Sequence, residues 1–160
     1  MLSTIPTDHY GSGIYAVDSG YDHAEFDAIH LIVDDGRVAI VDTGSNASIP
    51  HLLHELDRLG LARDAVDYVI LTHVHLDHAG GAGQLMAALP AARLVVHPRG
   101  ARHMIDPSKL IAATYEVYGR ENAIRKYGDI QPVPAERVVE AVHESRIKLG
   151  NRELLLLDAP

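Results

Sequence analysis

The sequence predicts an α/β domain, and its apolar pattern and composition support that prediction. Short runs rich in β-branched residues alternate with segments whose apolar residues recur every three or four positions. Hydrophobic residues make up 47% of the 160 residues and charged residues 22%, as expected of a globular chain with a buried core. The length corresponds to one domain.

The first half of the chain begins with a hairpin and continues with alternating helices and strands. Residues 28–34 and 37–42 are apolar runs joined by an Asp-Gly pair. This pair predicts a tight hairpin, because both residues tolerate a positive φ. Leucines at helical spacing predict a helix over residues 49–59. Further strands are expected over residues 13–17, 68–71 and 94–97, and a further helix over 83–89.

The second half begins with a helical segment and ends in short strands. Residues 98–135 are expected to form a helical insertion within the domain. Tyr115, Tyr118 and Tyr127 could line an entrance or a dimer contact, but aromatic residues at helical spacing usually pack onto a core. Packing is therefore the preferred interpretation. Strands are expected over residues 138–142, 146–149 and 153–158.

Charge and residue usage exclude several classes of protein. Lys and Arg total 14 against 22 Asp and Glu, and the net charge of −8 argues against nucleic-acid binding through a general positive field. The absence of cysteine excludes disulfides, thiol catalysis and cysteine-bound metals. No apolar run is long enough to span a membrane, and residues 1–13 lack the pattern of a secretory signal. A cytoplasmic location is therefore expected.

Histidine is frequent, with 11 residues, and four metal-binding side chains are concentrated in HVHLDH over residues 73–78. Residues two apart on an extended chain point the same way, so His73 and His75 can bind one metal. Asp77 and His78 follow on a bend where a helix would begin, and they can face a second metal nearby. Imidazole and carboxylate donors suit zinc, and also manganese or iron.

The alternative interpretation of this segment is a surface cluster of histidines, or core histidines with satisfied hydrogen bonds. Four donors at this spacing, after an apolar strand and before Gly80-Gly81, are hard to obtain by chance. Metal binding is therefore the preferred interpretation.

The whole segment THVHLDHAGG, residues 72–81, closely resembles the signature of the metallo-β-lactamase-fold hydrolases, the superfamily that includes glyoxalase II. The triplet DTG at residues 42–44 resembles the Asp-x-Gly turn that this family carries upstream of the signature. The resemblance implies an αββα sandwich. This sequence would supply its N-terminal half and the start of its second sheet.

The resemblance also implies a role for each residue of the motif. His73 and His75 match ligands of a first metal, and Asp77 and His78 match ligands of a second. Asp42 matches a residue that braces the ligand loop by hydrogen bonds, with ordinary turn capping as the alternative. A metal-bound hydroxide would attack the substrate, while Asp77 holds the water and passes on a proton. Two zinc ions are the expected cofactors, and iron or manganese the alternatives.

The sequence departs from the family pattern towards its carboxyl end. The family completes its site with a His in a Gly-His turn, a bridging Asp and a final His, and none of these occurs before Pro160. Residues 1–160 are therefore interpreted as a single truncated domain, and this chain alone is expected to lack normal hydrolase activity and to bind metal weakly or not at all. His97 is a candidate replacement ligand, although a structural role is the preferred interpretation for a histidine at a strand end.

Three functions are compatible with these patterns. Metal-dependent hydrolysis of an ester, thioester or lactone is preferred, with glyoxalase II-like thioester hydrolysis as the first choice. A diiron redox or oxygen-binding protein of the same fold is the alternative, and a non-catalytic interaction module is the third. The expected partner is a small-molecule substrate, with no nucleic acid and no membrane, and a homodimer is left open.

Overall fold

The computed structural model describes residues 6–159 of the chain, which form two β-sheets. Seven strands form the larger sheet: β1 (Thr7–Gly11), β2 (Ile14–Asp18), β3 (Ala28–Asp34), β4 (Arg37–Val41), β5 (Val66–Ile70), β6 (Arg93–Val96) and β7 (Val138–Glu140). The smaller sheet contains β8 (Ser145–Leu149) and β9 (Arg152–Leu156). The helices are α1 (Ile49–Arg58), α2 (Leu76–Ala79), α3 (Ala82–Ala88), α4 (Pro98–Ile105), α5 (Ser108–Tyr118) and α6 (Arg120–Tyr127). The sequence predicts no secretory signal in residues 1–13. Residues 1–5 of that segment lie outside the described residues.

The larger sheet is antiparallel at one side and parallel at the other. Strands β1 to β4 pair antiparallel in chain order, and β4 to β7 pair in parallel. Parallel neighbours need a crossover connection, and the helices supply these crossovers. The carboxyl ends of β4, β5 and β6 consequently lie at one edge of the sheet, which is the usual position of a functional site in such folds.

Different elements cover the two faces of the larger sheet. On one face, Leu52 and Leu56 of α1 and Leu85 and Met86 of α3 are fully buried in the main core. On the other face, β8 and β9 pack against the sheet, and Leu149 is fully buried there. This layering of helices, sheet and a second sheet confirms the predicted fold class. No helix within residues 6–159 is long and apolar enough to cross a bilayer.

The aromatic residues of the helical segment 98–135 follow the expected packing only in part. Tyr127 is buried, as expected, but Tyr118 is 43% exposed, so the packing interpretation is wrong for that residue. The reason is that α5 buries none of its residues completely and makes its main contacts with α6 and α4. Leu110, Thr114 and Tyr118 of α5 instead line a cleft.

Candidate metal centre

The HVHLDH segment lies at the carboxyl end of β5 and continues into α2. His75 has an extended backbone, with φ −63° and ψ 145°, and the first turn of α2 follows it. His73 and His75 therefore belong to the extended part of the segment, whereas Asp77 and His78 belong to the helix. The segment therefore changes from extended chain to helix between the two pairs of side chains.

The structure brings all four predicted ligands together. The ring of His73 lies 4.7 Å from that of His75 and 4.4 Å from that of His78, between centroids. His78 Nε2 lies 3.8 Å from Asp77 Oδ2. Two donors that each bind zinc at about 2.1 Å can be at most ~4 Å apart, so Asp77 and His78 can share one ion.

Asp42, which follows β4, connects both ends of the histidine segment. Its carboxylate accepts hydrogen bonds from Thr72 N at 2.8 Å and from Thr72 Oγ1 at 2.8 Å. Asp42 Oδ2 also lies 3.1 Å from His78 Nδ1, so Nε2 is the ring nitrogen left for a metal. Asp42 has a φ of +62°, a left-handed conformation that Asp tolerates better than most residues. This strained position at the site indicates a functional constraint.

Backbone hydrogen bonds tie the turn after Asp42 to the histidine segment. Thr43 N donates to His78 O at 2.7 Å, and Gly81 N donates to Gly44 O at 2.9 Å. Gly44 has a φ of +66°, and a Cβ at this position would lie 2.4 Å from Ser48 Oγ. Only glycine fits there, and the two backbone hydrogen bonds join the DTG triplet to the histidine segment.

Asp27, just before β3, is a sixth acidic or imidazole side chain in the cluster, and no sequence motif had marked it. Its Oδ1 lies 3.7 Å from His78 Nδ1, and only 9% of its side chain is exposed. Burial raises the pKa of Asp27, His78 opposes that rise, and Asp77 and Asp42 add to it. Among the described residues, Asp27 Oδ2 is buried without a hydrogen-bond partner. Asp27 lies between Phe26 and Ala28, with no other metal-binding residue type at a recognisable spacing. Only the tertiary fold therefore places it in the cluster.

These observations fit a cation-binding site. Partial burial lowers the pKa of His73, and the neighbouring imidazoles of His78 and His75 lower it further. The lowered pKa favours the neutral imidazole of His73, which is the form that binds a metal. Several carboxylates surround His78, and one of their oxygens lacks a partner, which favours a positive charge close by.

The donors are arranged in pairs rather than in larger sets. Within residues 6–159, no group of three or more His, Asp or Glu side chains is positioned to hold one ion. Zinc sites in proteins normally use at least three protein ligands. Within the described part of the chain, His73 with His75, and Asp77 with His78, would therefore each give an ion only two donors.

His97, the candidate replacement ligand, has a structural role in the fold. Its Nδ1 accepts a hydrogen bond from Arg99 N at 3.1 Å and caps the amino end of α4. The preferred interpretation of His97 as a structural residue agrees with this contact.

We expect His97→Ala to lower the free energy of unfolding by about 1 kcal/mol, the usual cost of losing a helix cap. His97→Asn should retain most of that stability, because Asn is also a good capping residue. Zinc affinity should be the same in both variants as in the unsubstituted chain. Urea unfolding and a zinc titration test this, and a marked loss of zinc affinity in both variants would make His97 a ligand.

Asp27→Asn is expected to weaken zinc binding by about 10–100-fold, which is typical when a residue that supports a metal ligand is lost. The substitution keeps the size of the side chain but removes the charge beside His78. Glu25→Gln is the matched control, because Glu25 is exposed and two residues away. Equal zinc affinities of the Asp27 and Glu25 variants, measured by competition with a coloured chelator, would show that Asp27 does not support the metal.

The α/β fold, with a cluster of histidine and carboxylate side chains at the carboxyl end of β5, defines the class of this domain, and comparison with known proteins identifies the family. The family model described as "Metallo-beta-lactamase superfamily" matches residues 27–154, which is most of the chain. The chain belongs to the metallo-β-lactamase superfamily, whose members bind metal ions, typically zinc.

Two curated relatives are hydroxyacylglutathione hydrolases. The protein from Stenotrophomonas maltophilia (strain R551-3) is 40% identical over 65 residues, or 41% of this chain and 23% of its own length. The protein from Serratia proteamaculans (strain 568) is 33% identical over 92 residues, or 55% of this chain and 33% of its own length. The matched regions therefore span a third or less of these relatives.

Solved structures agree on the fold. The subclass B3 metallo-β-lactamase MEM-A1, from a soil metagenome library, superposes with a TM-score of 0.71 at 22% identity. FEZ-1 metallo-β-lactamase from Legionella gormanii superposes with a TM-score of 0.70 at 18% identity. The matches cover 96% and 97% of this chain but 52% and 53% of those chains. This chain thus spans about half the length of the structures it matches.

Proposed function

We propose that this chain belongs to a metal-dependent hydrolase that cleaves an ester, thioester or lactone, with a thioester as the first choice. The observation that carries the proposal is the cluster of His73, His75, Asp77 and His78 braced by Asp42. The two hydroxyacylglutathione hydrolases among the relatives support a thioester over the other acyl substrates.

Each residue of the cluster has a proposed role in metal binding or in proton transfer. His73 and His75 would hold one ion, and Asp77 and His78 a second. Zinc bound there would lower the pKa of a water molecule towards neutrality and polarise the substrate carbonyl. Asp77 is half-buried and faces the cleft, so its carboxylate can accept a proton from the attacking water and pass it to the leaving group.

A cleft beside the cluster has the size of a small-molecule site. Its volume is about 420 Å³, and His75 and Asp77 form part of its wall. Clefts that bind small organic molecules typically measure about 300–1,000 Å³. The size of the cleft, and the presence of His75 and Asp77 in its wall, support a small acyl compound as the substrate.

Hydrolysis of defined substrates tests this proposal. The zinc-loaded chain would be assayed with S-lactoylglutathione, with a simple lactone and with a chromogenic β-lactam. We expect slow thioester hydrolysis that exceeds the rate with free zinc and is lost in Asp77→Asn. Failure to hydrolyse any of these substrates above the rate with free zinc, or equal activity of Asp77→Asn, would refute the proposal.

An iron centre with redox or oxygen-binding activity is the alternative for the same donors. Asp27, Asp42 and Asp77 give the cluster several carboxylates, and oxygen donors suit iron as well as zinc. The metal content and colour of protein purified from cells separate the two. Two iron ions per chain and a visible absorption band would favour the iron centre.

A further inference from the structure

One wall of the cleft is formed by two helices, α5 and α6, that have few attachments to the sheet. The two helices supply Tyr118, Lys126 and Tyr127 to the lining of the cleft. Helix α6 makes its main contacts with α5, and its buried residues are Ala123 and Tyr127. Helix α5 buries none of its residues completely. The position of this wall relative to the metal cluster therefore depends on contacts at the end of α6.

Asn46, two residues after the DTG triplet, makes such a contact. Its Nδ2 donates hydrogen bonds to Tyr127 O and to Asp129 O, both at 2.9 Å. These two carbonyl groups flank Gly128, the residue at which α6 ends. A Cβ at Gly128, where φ is +75°, would lie 2.8 Å from Asn46 Cβ. The end of α6 thus packs against Asn46 as closely as glycine alone allows.

The amide group of Asn46 is held for its two N–H donors. In the reverse orientation the amide oxygen would face two carbonyl oxygens, and it could not accept from either. In the observed orientation Oδ1 is buried, and no residue in the range 6–159 donates a hydrogen bond to it. A buried acceptor without a partner costs stability, so Asn46 is not optimised for stability alone.

The contact continues from Asn46 across the cleft to the loop before β3. Tyr127 is buried, and its ring stacks on that of Tyr21 at 6.0 Å between centroids, with the two hydroxyl oxygens 3.3 Å apart. Lys126 Nζ also donates a hydrogen bond to Tyr21 Oη, at 3.4 Å. The loop that carries Tyr21 ends in Asp27, which belongs to the metal cluster. Asn46 therefore connects the turn beside the cluster to both walls of the cleft.

We propose that Asn46 is a positioning residue that fixes the α5–α6 wall against the metal cluster and so sets the size of the acyl group that the cleft admits. It acts through Tyr127, since Asn46 itself does not line the cleft. Without its two donors, α6 moves away from Tyr21 while the sheet stays folded. The substrate consequence rests on the proposed hydrolase function, whereas the positioning role does not.

Hydrogen exchange and NMR of the zinc-free 160-residue chain test the positioning role without hydrolysis. In Asn46→Ala, we expect amides of α6 to exchange about 10–100-fold faster, because two hydrogen bonds at its end are lost. The nuclear Overhauser effect between the rings of Tyr21 and Tyr127 should weaken in the same variant. Amides of β4 and β5 should exchange at unchanged rates. Asn46→Asp should behave like Asn46→Ala, because a carboxylate keeps the shape of the side chain but cannot donate.

Asn122→Ala is the matched control. Asn122 is on α6 and donates to Tyr118 O at 3.1 Å, so its hydrogen bond stays within the α5–α6 wall. This variant should keep the contact between the rings of Tyr21 and Tyr127. Unchanged exchange of α6 in Asn46→Ala, equally faster exchange in β4 and β5, or an equal loss of the ring contact in Asn122→Ala would overturn the positioning role.

Two thioesters of different size test the substrate consequence. With the zinc-loaded chain, Asn46→Ala should raise the ratio of kcat/KM for S-benzoylglutathione to that for S-acetylglutathione about tenfold, within the range typical of a change in pocket size. An unchanged ratio would overturn the assignment of substrate size to Asn46. If the unsubstituted chain hydrolyses neither thioester, the proposed function fails, and the exchange measurement still decides whether Asn46 positions the wall.

Discussion

Replacing Asp42 by alanine is expected to lower the free energy of unfolding by about 2–4 kcal/mol and to abolish zinc binding at the cluster. The substitution removes charged hydrogen bonds to Thr72 N and Thr72 Oγ1 and leaves His78 Nδ1 without its acceptor. Alanine also tolerates the φ of +62° less well than Asp, which adds about 1 kcal/mol. Urea unfolding of the zinc-free chain measures the stability, and a zinc titration measures the binding.

Two variants separate the bracing role of Asp42 from its backbone strain. Asp42→Asn should recover most of the stability, because Asn tolerates the same φ and can accept from Thr72 N. Its neutral amide should still leave zinc binding weaker than in the unsubstituted chain. Asp35→Ala removes an Asp with a φ of +49° from the hairpin turn, away from the cluster, and should leave zinc binding unchanged. If Asp42→Ala were no less stable than Asp35→Ala, Asp42 would not brace the site.

The 160-residue chain alone is expected to bind zinc only weakly, with a Kd of about 1 μM or higher. Within residues 6–159 the donors occur in pairs, whereas a closed zinc site needs three or more ligands. Structural zinc sites reach apparent binding energies of about 10–16 kcal/mol, and two ligands cannot supply that. Thioester turnover should likewise fall well below the usual range of about 1–1,000 s⁻¹. Competition with a coloured chelator measures the affinity, and a thiol-release assay measures the turnover.

Tight binding of two zinc ions per chain would contradict this expectation. The additional donors would then come from rearranged residues of this chain or from a second copy. Size-exclusion chromatography with and without zinc distinguishes these cases, because only a second copy makes the oligomeric state depend on zinc. His97 is an unsuitable donor, because its Nδ1 accepts the hydrogen bond that caps α4 and the proton of the neutral ring is then on Nε2.

Local sequence signals predicted those parts of the fold that local chemistry determines. The hairpin of β3 and β4 was predictable because Asp35 and Gly36 adopt the positive φ values that its tight turn requires, +49° and +73°. Strand β1 was not predicted, since its side chains are mostly exposed and it is held by backbone pairing with β2. An edge strand of that kind shows no apolar run.

The same distinction holds at the candidate site. The HVHLDH segment carries four donors within six residues, and the structure brings their side chains together as that spacing suggested. Asp27 and Lys126 could not be found in this way. Asp27 reaches His78 only because β3 pairs beside β4, and Lys126 reaches Tyr21 from a position 105 residues away in the chain. Such contacts depend on tertiary packing, which no short motif records.

The most direct test of the proposed metal centre is a zinc titration followed by the ring nitrogen signals of the histidines in 15N NMR. Weak binding is sufficient for this measurement, because exchange between free and bound chain still moves the signals. We expect zinc-dependent shifts for His73, His75 and His78, and none for His51 and His54 on α1. Shifts at His51 and His54 with none at the cluster would show that the HVHLDH segment does not bind the metal.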